Sequence, residues 1–369
     1  MLKFNYSIES KTGGAHMKRS IANFYGCLMG GAIGDALGAP IEFMQYNEIV
    51  KRYGSEGVQE LDIPATQRYA LITDDTQLTL FTAEGLLRSE TRARRKGQQR
   101  TLEGTTITVF RAYLRWLHTQ GLDTPHWNKK DYDGWLIKIG KLHAYREPGV
   151  TCLTALGKGI MGRLEKPIND SKGCGGMMRV APIGLVENAE EAFLLGMHSA
   201  AITHGNPSVY LSAGTLALLI HYVIEGDALE AAVQKALDAL KKQPRNEEVV
   251  AAVETAIALT KEKKPSREQI EQLGNGFIAH EALAMAIYVV LSYPTDFEAA
   301  LRLAVNHSGD SDSVGAIAGA ILGAYLGIEA IPTRWVDGVE LSREIEQLAK
   351  DLFKFYEEGE EWLKKYPAW

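Results

Sequence analysis

Cysteine is scarce in this chain: three residues in 369, Cys27, Cys152 and Cys174, widely spaced and odd in number. That excludes a disulfide framework and a cysteine-based zinc signature, and it reads as a reduced, cytoplasmic protein. An excess of positive charge is missing too. With 40 Lys and Arg against 46 Asp and Glu, the net charge is −6, which argues against nucleic acid or a membrane surface as a general partner. No uninterrupted apolar run approaches the roughly 18–20 residues of a membrane span, and the N-terminus carries no apolar signal core. The most apolar stretch, residues 314–326, is short and rich in Gly and Ala, so it reads as a buried helix with closely packed neighbours.

What is present is helical. Hydrophobic residues make up 46% of the chain, ample for a sizeable core. Asp227 and Glu230 form a capping-box pattern ahead of Leu229, Ala232, Val233, Ala236, Leu237 and Leu240. Thr295 and Glu298 repeat the pattern ahead of residues 299–305. Residues from Asn246, 280–291 and 342–362 also carry helical periodicity. Residues 89–104, 121–133, 241–246 and 261–267 read as loops, including the basic run of residues 92–96. The expectation is an all-α fold with a single domain over residues 18–369. Residues 1–17 stand apart as an N-terminal extension, in which Leu2, Phe4, Tyr6 and Ile8 alternate with polar residues. That period of two suits an arm that docks on a partner by edge pairing, or else a frayed terminus or cloning remnant.

Two acidic clusters dominate the chemistry: Thr73, Asp74, Asp75 near the start, and Asp310, Ser311, Asp312, Ser313 near the end. Each opens a helix, and helix capping explains one carboxylate apiece: Asp74 with Gln77 at N3 in the first, an acid ahead of Val314 in the second. It does not explain two. Like charges placed side by side are costly unless a cation compensates them, and the helix dipole offsets only part of that cost. An all-oxygen donor set suits a hard cation such as Mg²⁺ or Mn²⁺. Three further segments carry possible function. Glu42 follows a glycine-rich helix broken near Pro40. Gly173, Cys174, Gly175 and Gly176 form a turn whose N–H groups suit an anion such as a diphosphate. His204 follows a Thr and precedes Gly-Asn-Pro.

These five segments, in this order, resemble the ADP-ribosylglycohydrolase family. The likeness spans residues 20–327 and is most specific over residues 306–319. The segment from Gly34 to Met44 is similar to the bacterial dinitrogenase reductase-activating branch. The resemblance implies an all-α domain holding two Mg²⁺ ions, with Mn²⁺ the alternative, in one cleft. Thr73, Asp74, Asp75, Asp310, Asp312 and Ser313 would be the metal ligands, and Glu42, Asp75 and Asp312 the catalytic carboxylates. Gly173, Cys174, Gly175 and Gly176 would cradle the diphosphate, with His204 near the substrate and Phe277 stacked on the nucleotide. Cys174 stands where many relatives have Asn, and Ser313 where Thr is frequent. The implied reaction is removal of ADP-ribose from a modified side chain, arginine by the likeness of the Glu42 segment.

A reading from another class is an immunity protein that neutralises an ADP-ribosyltransferase toxin by direct binding through the arm. An isoprenoid-type synthase would also be all-α with Mg²⁺-binding aspartates, but it expects DDxxD, and Asp74, Asp75, Thr76, Gln77, Leu78 lacks the last acid.

Overall fold

The computed structural model describes residues 19–125, 127, 131–262 and 264–368. The alternating arm of residues 1–16 lies outside them. Among the described residues the chain runs through α1 (Ile21–Gly38), α2 (Tyr46–Tyr53), α3 (Asp74–Lys96), α4 (Leu102–Thr119), α5 (Val150–Gly157) and α6 (Ala181–Val186). It continues with α7 (Ala189–Ala201), α8 (Pro207–Ile224), α9 (Leu229–Leu240), α10 (Glu247–Leu259), α11 (Arg267–Ile270) and α12 (Ala279–Ser292). The last five are α13 (Phe297–Val305), α14 (Ser311–Leu326), α15 (Thr333–Gly338), α16 (Ser342–Lys354) and α17 (Glu360–Lys365). The described residues contain no strand, only isolated bridges between Ala70 and Val339 and between Gly173 and Ile278. The fold is all-α, as the periodicity predicts.

The contact that organises the molecule is α1 against α14. Glycines recur every fourth residue on both helices, and they meet antiparallel: Gly26 with Gly323, Gly30 with Gly319, Gly34 with Gly315. A Cβ added to Gly34 would lie 2.0 Å from Gly315 O, and one on Gly30 would lie 2.3 Å from Gly319 O. The backbones therefore touch directly, which only residues without a side chain permit. Antiparallel contact sets the end of α1 beside the start of α14: a Cβ on Gly38 would sit 2.4 Å from Asp312 N. Two segments almost three hundred residues apart are locked together.

Around this pair the apolar residues form one continuous buried cluster from Phe24 to Tyr366. Helix α8 is the one helix among the described residues long and apolar enough to cross a membrane. Here it lies in the core, with residues such as Leu211, Leu216 and Leu219 fully buried. Helices α3 and α4 are joined by a fully buried pair, Arg115 to Glu84 at 2.9 Å.

Several boundaries differ from the sequence expectations. The basic run 92–96 is not a loop but the last turn of α3, closed by Gly97 in the left-handed region at φ 61°. Cationic side chains suit a helix C-terminus, and Arg94 also pairs with Glu90 at 2.6 Å. The Asp227–Glu230 box does not form; α9 starts after Ala228 with no side-chain cap. Asp227 instead pairs with Lys235 at 2.7 Å. At α13 the cap is Asp296, accepting from Ala299 N, rather than Thr295. The 342–362 helix is interrupted where Phe355 adopts φ 63°, so α16 and α17 are separate.

Gly34→Ala should destabilise the protein by about 3 kcal/mol, because the new methyl meets backbone that cannot step aside. Gly31→Ala, whose nearest contact would be 3.4 Å, should be tolerated. Urea-unfolding midpoints of the two variants check the difference.

Candidate functional site

The two acidic clusters do converge, and the residue that joins them has no role legible in the sequence. Asp35, in the last turn of α1, is completely buried. Its carboxylate accepts from Thr73 N at 3.0 Å and Thr76 N at 3.1 Å, and from the Thr76 hydroxyl. It thus holds the N-terminus of α3 from outside that helix, satisfying donors that have no intrahelical partner. The available signal is an Asp amid the small and apolar residues of a glycine-rich helix.

Within α3 the cap is Thr73, whose Oγ1 accepts from Asp75 N at 3.3 Å. Asp74 is therefore not the cap, and Gln77 does not close a capping box. Gln77 is turned inward, donating to Ala144 O at 3.0 Å and accepting from Trp116 Nε1 at 2.9 Å. Asp74 is freed to accept from Gly149 N at 3.2 Å, while its own N–H donates to Arg146 O. That tether to residues 146–149 has no motif to announce it. Asp75 Oδ1 is buried with no hydrogen-bond partner.

In the second cluster Asp310 caps α14, which begins at Ser311, three residues earlier than Val314. Asp312 Oδ1 accepts from Ser313 N at 3.0 Å. The loop before it is pinned from several sides. Asp310 N donates to Asn275 O at 2.8 Å, and Phe43 N donates to Gly309 O at 3.1 Å. Asn306 clasps Val58 through both its N–H and its carbonyl, at 2.7 and 2.8 Å. These bonds bring Glu42 into the group: Glu42, Asp310 and Asp312 each have a carboxylate oxygen within 4.8 Å of the others.

Six carboxylates therefore act on one another: Asp35, Glu42, Asp74, Asp75, Asp310 and Asp312. Burial pushes the four cluster aspartates above the usual carboxylate range, Asp74, Asp75 and Asp310 well above it. Burial, and then repulsion from Asp312, moves Asp35 up to about 7 and Glu42 up to about 9. Such a set is under electrostatic stress unless a cation enters it. The all-oxygen donors, the close triplet and the orphaned Asp75 Oδ1 fit a divalent cation.

The glycine turn lies beside the acids. Cys174 is buried, its thiol pushed well up by burial with Asp310 and Asp75 adding to the effect. Two of the turn's N–H groups are already engaged: Gly173 N with Ser171 Oγ at 3.3 Å, Cys174 N with Phe277 O at 3.0 Å. Any anion cradle here is narrower than four amides. His204 is buried directly beneath the turn, its Nε2 3.5 Å from where a Cβ on Gly173 would be. Phe277 stacks on Phe43, ring centroids 5.5 Å apart and 12° from parallel. Phe43 itself is 63% exposed, with φ at 65°.

The stress has a measurable sign. A buried acid whose folded-state pKa is raised binds its proton more tightly in the folded state, so its stabilising effect is complete at low pH and lost as pH rises through that pKa. Without divalent cations, the melting temperature should fall as pH goes from about 5 through the values near 7 for Asp35 and near 9 for Glu42. Asp312→Asn should flatten that slope and stabilise the cation-free protein by about 1–2 kcal/mol at neutral pH. Thermal scans in chelator across this range check both.

Comparison with known proteins adds to the geometry. The ADP-ribosylglycohydrolase family profile matches residues 17–361. The ADP-ribosylhydrolase ARH3 of Bos taurus is 26% identical over 94% of this chain and 96% of its own. The ADP-ribosylarginine hydrolase Tri1 of Pseudomonas putida is 25% identical over 89% of this chain and 77% of its own. A solved ADP-ribosylglycohydrolase-related protein complex superposes with a TM-score of 0.64 at 25% identity, covering 91% of this chain and 98% of that one. With α1, α3 and α14 bringing both acidic clusters together, and the profile running through both, the chain belongs to the ADP-ribosylglycohydrolase family, hydrolases of a glycosidic bond to ADP-ribose.

Proposed function

We propose that this enzyme removes ADP-ribose from the arginine side chain of a modified protein, using Mg²⁺ or Mn²⁺. The observation that supports the cation requirement is the gathering of Asp35, Glu42, Asp74, Asp75, Asp310 and Asp312, all but Glu42 buried, with none of them ion-paired to a Lys or Arg among the described residues and Arg179 acting on Asp74 only as a minor influence. Arginine is favoured by the likeness of the Glu42 segment to the dinitrogenase reductase-activating branch and by the relative described as an ADP-ribosylarginine hydrolase.

Thr73, Asp74, Asp75, Asp310, Asp312 and Ser313 would hold two ions. When bound, such ions would compensate the carboxylates and supply Lewis-acid polarisation. The chain's own groups account for the remaining work. Asp35 keeps the start of α3 in register with α14, so the ligand set is preorganised before anything binds. Glu42 has no anchoring partner comparable to those of Asp35, and it stands at the rim of the group. Without cations, burial and its acidic neighbours hold it protonated; with that repulsion offset by bound cations it is the carboxylate that, in the proposed reaction, takes a proton from the attacking water as the new C1″–O bond forms. The C1″–N bond to arginine breaks, its electron pair leaves with a neutral guanidine, and that guanidine takes up the proton held on Glu42, which restores the carboxylate. Carboxylates fixed near the ribose stabilise the positive charge that develops at C1″. In this reading the turn containing Gly175 and Gly176 receives the diphosphate, and the adenine stacks on Phe277, whose ring is paired with Phe43.

Asp74→Ala and Asp312→Ala should each abolish cation-dependent release of ADP-ribose from an ADP-ribosyl-arginine protein. Glu42→Gln should lower kcat by roughly 10²–10⁴-fold while leaving ADP-ribose binding intact. Turnover assays on arginine- and serine-linked substrates, with and without EDTA, test the reading. Wild-type activity that survives the chelator, or that acts on serine alone, would overturn it.

A further inference from the structure

Arg179 is a fully buried cation to which the hydrolytic reading gives no task. Its guanidinium carbon lies 4.1 Å from the centroid of the Tyr113 ring. It donates to Thr203 Oγ1 at 2.7 Å, to Ser199 O at 3.3 Å and to Cys152 Sγ at 3.4 Å. Two branches lead from it to the underside of the glycine turn. Along one, Cys152 Sγ donates to Gly175 O at 3.8 Å. Along the other, Thr203 Oγ1 stands 2.8 Å from His204 Nδ1. The imidazole lies flat under the turn: a Cβ on Gly176 would be 3.0 Å from Nδ1, and one on Gly173 or Gly175 would be 3.5 or 3.7 Å from Nε2.

Hydrogen-bond polarity decides where the imidazole proton sits. A guanidinium donates and never accepts. Thr203 Oγ1 accepts from Arg179, and its own single proton goes either to His204 Nδ1 or to its other side-chain neighbour, Cys152 Sγ. Sulfur is the weaker acceptor and Cys152 Sγ already receives a hydrogen bond from Arg179, which favours Nδ1 as the acceptor and leaves a neutral ring with its proton on Nε2. Burial, reinforced by the charge of Arg179, pushes His204 down to about 3, so the ring is neutral at working pH. We infer that Arg179, acting through Thr203, locks His204 in the Nε2–H tautomer and so sets a donor, rather than a lone pair, beneath Gly173 and Gly175. Arg179 and Thr203 are positioning residues. The consequence for ligands rests on the proposed role of this turn as a diphosphate cradle. Phosphate oxygens only accept, so the opposite tautomer would turn a lone pair toward them.

The test uses the whole chain labelled with ¹⁵N-histidine, His204 being assigned from the peak lost in His204→Gln. Long-range ¹H–¹⁵N correlation should show Nε2 protonated and Nδ1 not. Thr203→Val leaves Nδ1 without its donor, so protonation should shift toward Nδ1. Calorimetric affinity for free ADP-ribose with Mg²⁺ should then fall about ten-fold, the scale of one hydrogen bond to a charged group. Thr203→Ser should restore both readouts, which a merely structural role for the threonine methyl would not do. Arg179→Gln, whose amide can accept from Thr203, should give mixed tautomers; if it fails to fold, the Val and Ser pair still decides. A wild-type ring protonated on Nδ1 overturns the inference, as does a Thr203→Val protein with unchanged tautomer and affinity. A wild-type ring locked as inferred in a protein that binds no ADP-ribose supports the lock and overturns the cradle reading instead.

Discussion

Everything at the site depends on two helices touching through glycine. Where α1 crosses α14, backbone meets backbone at Gly26, Gly30 and Gly34. Any side chain there would wedge the helices apart, and their ends are where the carboxylates lie. Asp35 and Glu42 follow from α1, and Asp310 and Asp312 from α14. The other cluster is added by a second device, the Asp35 carboxylate drawing in the exposed N–H groups of α3. A packing contact and a buried cap together bring the first quarter of the chain against its last fifth.

The same arrangement sets the electrostatics. Burying several acids together raises their proton affinity, mostly through desolvation and then through one another. Folding alone would not gather such a set, because water solvates separated carboxylates far better. The apolar core makes up the difference, and the site stores the cost as affinity for a cation. Nearby, Arg179 is a buried positive charge that donates to Thr203, faces the ring of Tyr113 and acts on Asp74 as one of the weaker influences beside burial. Among the described residues it forms no ion pair with any of the site carboxylates, and Asp74 still stands well above the usual carboxylate range. A salt bridge there would remove the stress that makes the centre attract metal.

Legibility in the sequence varies with the range of the interaction. Helical periodicity and the two acidic clusters are local and can be read directly. Helix ends are less legible: Thr295 yields to Asp296, Asp74 to Thr73, and the Asp227 box to an ion pair with Lys235. Capping competes with other uses of the same oxygen, and the winner depends on what packs nearby. The basic run 92–96 errs in the other direction, a charged stretch that reads as a loop although it suits the C-terminus of α3. Asp35 is visible in its motif but carries no role there, because its partners lie on another helix. The tether from Gly149 to Asp74 leaves no local pattern at all.

The sequence by itself determined the kind of chemistry. Spare carboxylates at two helix starts, hydroxyls beside them, and a glycine turn suited to an anion identify a hard-cation site and a family. Those properties belong to residue types and their immediate neighbours. Only the tertiary structure decided which acid braces the start of α3, which acids stand within reach of one another, and which side chains surround His204. Those outcomes depend on contacts between segments tens to hundreds of residues apart, or on a relay through a buried side chain. Their free energy comes from burial and hydrogen-bond direction, which have no value until the helices have met.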